Sequence, residues 1–297
     1  MYLISNMNFP IVELRQADKE YSKLLRQISD PPDKLYCRGN IKLLNSYCFG
    51  VVGTRKITSY GKEATENIIS GLSDTGWTIV SGLALGVDAA AHKAALDNNL
   101  PTVAVLGSTI DDLGIGPRTN FPLAKEILKN NGLLISEYRS SRDVNRSNFA
   151  IRDRIISGLS VGVLIVEGAE KSGSLITAKC AAEQNRDVFA VPGNIFSFVS
   201  AGPNELIKKG ARVVTSANDI LEEYNQNLEL ELTKRKNIST KDPIQKKILD
   251  ILDEQGDLTI DKIIRETGLE ASQILSAISI LEIKGKIKQR SGKYTLP

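Results

Sequence analysis

Between Cys48 and Gly193, six short apolar runs, each closing on glycine or serine, alternate with amphipathic stretches of helical period. The runs are Cys48–Gly53 (CFGVVG), Thr78–Gly82, Thr102–Gly107, Gly132–Ser136, Val161–Gly168 and Asp187–Gly193. Runs this short, rich in β-branched residues and apolar on both faces, suit strands covered on both sides of a parallel sheet. The segments Gly61–Leu72, Val87–Asp97, Phe121–Lys129 and Ser174–Gln184 supply the crossover helices. Right-handed crossovers carry the strand ends to one edge of an open, doubly wound sheet. The expected class is therefore α/β, with an extended Rossmann-like, mostly parallel sheet.

The flanks read differently. Residues 1–44 are expected to form a helix around Lys19–Ile28 and, after Asp30-Pro31-Pro32-Asp33, an extended lead into a sheet domain at 45–224. A polar stretch of mixed charge at 225–242 reads as a linker. From 243 to 297 the period restarts as three short helices, Pro243–Asp253, Thr259–Thr267 and Ala271–Ile283, closed by a Lys- and Arg-rich hairpin. That succession describes a winged helix.

Composition narrows the chemistry. A chain of 297 residues, 41% hydrophobic and 25% charged, can bury a sizeable core without staples. Cys37, Cys48 and Cys180 are odd in number and lack CxxC spacing, which argues against a disulfide framework or a zinc site. No apolar stretch approaches the ~18 residues of a membrane span, and the start, MYLISNMNFP, lacks a leader pattern. A cytoplasmic location, no membrane contact and no cofactor are expected. The net charge of +3, from 38 basic against 35 acidic residues, announces no nucleic-acid partner by its size. Placement of the charge has to carry that argument.

Glycine-containing turns open helices after several of the runs, at Gly53-Thr54-Arg55, Ser81-Gly82-Leu83, Gly107-Ser108 and Gly173-Ser174. Any one of them is explained by close strand–helix packing. Four converging on one edge point to anion binding by unpaired backbone N–H groups. Nucleotide fingerprints fail: seven residues separate Gly53 from Gly61 where a P-loop has four, and Glu63 stands at its Ser/Thr position. Basic residues gather near the turns, at Arg55, Arg139, Arg142, Arg146, Arg152, Arg154 and Lys179, around Phe149. Cations for a backbone and a flat ring for a base are what single-stranded nucleic acid requires. Asp88 and the lone histidine, His92, lie four apart on one predicted helix. They form a general-base pair, half a metal site or, the reading favoured for want of a third ligand, a structural hydrogen-bonded pair.

The series VVGTRKITSYGK, IVSGLALGVDAAAHKAAL, TVAVLG, LLISEY, IRDRIISGLSVGVLIVEGAEKSGSLITAKCAAEQ, RDVFAVPG and GPNELIKKGARVV resembles the DprA (Smf) family of bacterial DNA-processing proteins, in order across Asp30–Leu221. The resemblance implies an extended Rossmann fold that binds single-stranded DNA (ssDNA) as a homodimer, protects it and loads RecA onto it in natural transformation or recombination, without catalysis. It places the DNA site on Gly53, Thr54, Arg55, Gly107, Ser108, Asn120, Arg146, Phe149, Arg152, Arg154, Gly173, Ser174 and Lys179. Two departures stand out: Gly116-Pro117-Arg118-Thr119-Asn120 replaces a Tyr-Pro-x-Glu-Asn block, and Asp153 replaces an asparagine between Arg152 and Arg154. Asp153 brings a negative charge into the expected pocket unless it pairs with an arginine.

Two other functions compete. The same fold resembles nucleotide-processing phosphoribohydrolases of the Lonely-guy type, whose loop carries a catalytic glutamate. Here that turn reads Ser172-Gly173-Ser174-Leu175-Ile176-Thr177, with threonine near the expected carboxylate. A duplex-DNA regulator would read bases from Ala271–Ile283, where Gln273 is the lone candidate.

Overall fold

The computed structural model describes residues 9–73, 75–139, 145, 147–224, 242–284, 286–290 and 292–295. The chain divides into two compact units, Met1–Ile220 and Leu221–Pro297. The stretch read as a linker lies outside the described residues, apart from Asp242.

In the first unit, the strands β1 (Ile11–Arg15), β2 (Lys34–Gly39), β3 (Cys48–Val52), β4 (Thr78–Ser81), β5 (Thr102–Leu106), β6 (Leu133–Ser136), β7 (Gly162–Ile165), β8 (Asp187–Ala190) and β9 (Arg212–Val213) form one sheet. Its order is β1-β2-β6-β5-β4-β3-β7-β8-β9. All pairings from β6 through β9 are parallel. The six apolar runs supply β3 to β8, and β3 to β7 are buried at every residue. The helices are α1 (Ser59–Ser70), α2 (Val87–Asp97), α3 (Phe121–Lys129), α4 (Asn148–Ile151), α5 (Asp153–Leu159), α6 (Ser174–Glu183) and α7 (Ala201–Lys208), and a further helix, α8 over 217–224, begins in this unit and runs past its boundary at Ile220. Thr58 caps α1 by accepting from the Gly61 N–H at 3.1 Å.

The chain runs from β3 to β4 on one side and returns from β6 to β7 on the other side of β3. The crevice beyond the C-terminal ends of β3 and β7 is thus the switch point where open α/β sheets bind ligands.

The N-terminal stretch departs from expectation. Residues read as a helix, Lys19–Ile28, form turns and one 3-10 turn at Leu25–Gln27. The reason is a tertiary polar contact: Asn45 takes the Lys23 N–H at 3.0 Å and donates to the Glu20 carbonyl at 3.0 Å, occupying groups that a helix would use internally. Tyr21, fully buried, donates to the Pro32 carbonyl at 2.7 Å. On either side β1 and β2 pair antiparallel, and β2 extends the sheet by antiparallel pairing with β6.

The second unit contains α9 (Pro243–Gln255), α10 (Ile260–Thr267) and α11 (Ala271–Ile283), with β10 (Leu258–Thr259), β11 (Lys288–Arg290) and β12 (Lys293–Thr295) in the order β10-β12-β11. Asp242 caps α9, accepting from the Ile244 and Gln245 N–H groups at 2.9 and 3.0 Å. Gly268 closes α10 at φ +65°, a left-handed position that suits glycine. Ile248, Leu252, Ile263, Ile274, Ile278 and Leu281 fill the core. Three helices and a wing form the expected winged helix.

Candidate functional site

A cavity of about 450 Å³ opens at the switch point, lined by Gly53 and Arg55 after β3, Ala84 and Asp88 after β4, Phe149, Arg152 and Asp153 on α4–α5, and Ser172–Ser174 and Thr177 after β7. Gly53 is required by close approach: a Cβ there would lie 2.6 Å from Val87 Cγ2 and 2.8 Å from the Glu167 carbonyl oxygen. Thr54 fixes the same loop through its backbone, its N–H donating to the Glu167 carbonyl at 2.7 Å and its carbonyl accepting from the Val87 N–H at 3.1 Å. Gly173, by contrast, faces open space. Arg55 is exposed, and its guanidinium carbon lies 5.8 Å from the Phe149 ring centroid. The cleft therefore has an exposed cation and a ring at its mouth, over a floor partly of glycine.

Its inner wall is a buried charge cluster. Arg152 is 4% exposed; it donates to the Val105 carbonyl at 2.5 Å and the Phe149 carbonyl at 3.3 Å, and pairs with Asp153 at 3.0 Å. Asp88 accepts from the Gly82 and Ala84 N–H groups at 3.1 and 3.4 Å. Burial raises the Asp88 carboxyl above its usual range, against the pull of Arg152. Burial likewise pushes Asp153 up to about 7; Arg152 opposes this and Asp88 adds to it. Asp153 thus pairs with an arginine, as the cleft requires if an anion is to enter.

Asp88 and His92 do not form the expected pair. The Thr102 hydroxyl donates to the Ile79 carbonyl at 2.8 Å, so His92 Nδ1, 2.7 Å from that hydroxyl oxygen, must be the donor. Burial, helped by Arg152, lowers the imidazole to about 3, so His92 is neutral. Each member of the expected pair has separate partners because Asp88 turns toward the β4 loop while His92 turns under β5.

Gly53, Arg55, Phe149, Arg152, Gly173 and Ser174 come together in this cavity. Gly107, Ser108 and Asn120 stand behind it: a Cβ on Gly107 would press on Phe149 at 3.0 Å, the Ser108 hydroxyl accepts from the Gly116 N–H at 3.2 Å, and Asn120 donates to the Leu83 and Ala84 carbonyls at 2.9 and 3.0 Å. Arg142 and Arg146 lie outside the described residues. Lys179 lines a separate cavity with Lys171 and Arg186, its ammonium 3.7 Å from Glu183. Arg154 turns away from the cleft, forking onto both Glu137 oxygens at 2.7 Å and meeting Asp30 at 3.1 Å. Arg154→Ala is expected to lower stability by about 2 kcal/mol in urea unfolding and to leave anion binding in the cleft unchanged. Val52, Ala84, Ala150, Ser172, Ile176 and Thr177 also line the cleft without having been singled out as binding residues; they are small, apolar or hydroxylic, and nothing in the sequence marks them beyond their places beside the glycine turns and Phe149.

Fold and cleft define the class: a Rossmann-like protein with a cleft lined by cations and an aromatic ring at its switch point, followed by a winged helix. Residues 13–225 match the family described as DNA recombination-mediator protein A, and residues 233–293 match the DprA winged helix domain. The chain is 43% identical to DNA processing protein DprA of Bacillus subtilis over 70% of this chain and 69% of that one. It is 38% identical to protein Smf of Escherichia coli over 96% and 77%. The crystal structure of DprA from Streptococcus pneumoniae superposes with a TM-score of 0.68 at 40% identity, covering 73% and 75% of the two chains. DprA from Helicobacter pylori, whose structure is described by its ssDNA binding mode, superposes at 0.65 with 32% identity over 74% of this chain and 98% of that one. The chain belongs to the DprA/Smf family of DNA-processing proteins. Among the described residues no helix is long and apolar enough to cross a membrane.

Proposed function

We propose that this protein binds single-stranded DNA in the switch-point cleft and, as a cytoplasmic homodimer, protects the strand and hands it to RecA without breaking or making bonds. The observation that carries the binding step is Arg55 poised against Phe149 at the mouth of the cleft. A cation meets the phosphodiester, and the ring offers a face to a base. The Helicobacter pylori relative, described by its ssDNA binding, supports the choice of strand. The family description as a recombination mediator supports delivery to a recombinase. β9, exposed at both residues, ends the sheet, which fits self-association.

Arg55→Ala is expected to weaken ssDNA binding about tenfold, across sequences, and to reduce the slope of log affinity against log salt by about one. Lys179→Ala, in a separate cavity, is expected to do less. Unchanged affinity and salt slope in Arg55→Ala would overturn the assignment of the cleft. Release of free base from nucleoside monophosphates would instead favour the hydrolase reading.

A further inference from the structure

Three large apolar side chains stand in solvent on the loop joining β8 to α7: Ile195, Phe196 and Phe198 are 81%, 91% and 77% exposed. Hydrogen bonds hold the backbone that displays them. Asn194 accepts from the Phe196 N–H at 2.9 Å, Asn204 exchanges two hydrogen bonds with Gly193 at 3.0 and 3.2 Å, and the Gly168 N–H donates to the Val199 carbonyl at 2.6 Å. Among the described residues these three side chains stay outside the packed core, and a fixed display of exposed apolar groups marks a binding surface.

The loop borders a second cavity, of about 580 Å³, whose opposite wall is Thr58 and Tyr60. This cavity neighbours the cleft. Glu167 joins them, its carbonyl held by Thr54 at the cleft and its carboxylate by the Thr58 N–H at 2.9 Å and hydroxyl at 2.5 Å. Between the two lie Arg55 and Lys56, both exposed and, among the described residues, without a carboxylate at ion-pair distance. The loops concerned follow β3, β7 and β8, which are consecutive in the sheet, so the path spans roughly 10 Å along one edge.

Resting on the reading of the cleft as an ssDNA site, we infer that the Ile195–Phe198 loop is a second base-stacking station, which receives the strand as it leaves the cleft. Phosphates pass over Arg55 and Lys56, and bases stack on Phe196 and Phe198. Stacking on rings is tolerant of sequence because every base presents a π-face, so the station extends the footprint without adding a sequence preference. Exposed cations on the adjoining loop, Arg55 and Lys56, favour a polyanion over an apolar protein surface as the occupant.

The test is fluorescence anisotropy on the full chain with labelled oligothymidylates of about six and about twenty nucleotides. The paired substitution Phe196→Ala and Phe198→Ala is expected to weaken the longer strand about tenfold or more and to leave the shorter one unchanged. Phe196→Trp, which keeps a ring, is expected to retain the longer strand's affinity, and Arg55→Ala to weaken both lengths. Unchanged affinity for the longer strand in the double variant overturns the station while leaving the cleft intact. So does a double variant that loses self-association with no change in DNA binding, which would assign the loop to a second copy of the chain. Wild-type protein that binds neither length overturns the cleft reading itself.

Discussion

Arg152→Ala will cost the folded protein about 3–5 kcal/mol at alkaline pH, the largest effect expected of any single substitution in the cleft. The side chain is buried, it satisfies the Val105 carbonyl, and it is the cation between Asp88 and Asp153. A Cβ on Gly82 would overlap its guanidinium, so the space is built around it. Removing it leaves two buried carboxylates without their counter-charge, which costs more than the lost hydrogen bonds. Those carboxyls can relieve the cost by taking up protons, so the loss will be smaller in mild acid. Urea unfolding followed by the fluorescence of Trp77, the chain's single tryptophan and buried in the first unit, reports this unit alone. Arg152→Lys restores the charge but not the planar fork and is expected to recover only part of the stability. A midpoint shift of under about 1 kcal/mol in Arg152→Ala would show that the cluster does not depend on this arginine.

DNA affinity will fall as pH rises toward neutrality, and Asp153→Asn will remove most of that slope; in stability the same substitution will remove a contribution that falls with pH and unmask the opposite one of His92. The Asp153 carboxyl is pushed up to about 7 in the folded protein, against an ordinary value of 3.8. Between those values the folded state holds a proton that the unfolded chain has released. The contribution of this carboxyl to stability therefore declines from about pH 4 to about pH 7, by at most about 4 kcal/mol, and is flat above. Asp88 acts in the same direction, with the N–H groups of Gly82 and Ala84 opposing it. His92 opposes it: burial holds the folded imidazole at about 3, while the unfolded chain binds a proton below the ordinary 6.5, so this group adds stability as pH rises between those values. A phosphodiester entering the cleft meets one negative charge fewer when Asp153 is protonated, so ssDNA binding tightens on acidification, by about tenfold. Asp153→Asn is expected to bind ssDNA with little pH dependence and, at about pH 8, more tightly than wild type. Anisotropy titrations and urea midpoints from about pH 5 to about pH 8 measure both, and an affinity slope retained in Asp153→Asn, or a stability profile that the substitution leaves unchanged, would rule out this carboxyl as the source.

The sheet from β3 to β8 is legible in the sequence because strands covered on both faces read as nearly continuous apolar runs, as CFGVV and TVAVL do. β1 and β2, IVELR and KLYCRG, sit at the sheet's edge, where polar residues are tolerated and the pattern fades. The false helix at Lys19–Ile28 has the right period, but Asn45, distant in sequence, captures its backbone groups.

The site divides in the same way. Arg55 and Phe149 could be assigned from a cation after a strand and a ring beside basic residues, because an exposed group keeps the properties its side chain brings. Arg152 and Arg154, two residues apart, could not be told apart in sequence. Folding buries one between Asp88 and Asp153 and gives the other to Glu137 and Asp30. Which residues alternate, where the glycines fall and which ends carry cations are local properties, and the sequence by itself determined the doubly wound sheet, the winged helix and the position of the cleft. Whether a charge in that cleft is free, paired or protonated depends on burial and on partners brought from far along the chain, and only the tertiary structure decided it.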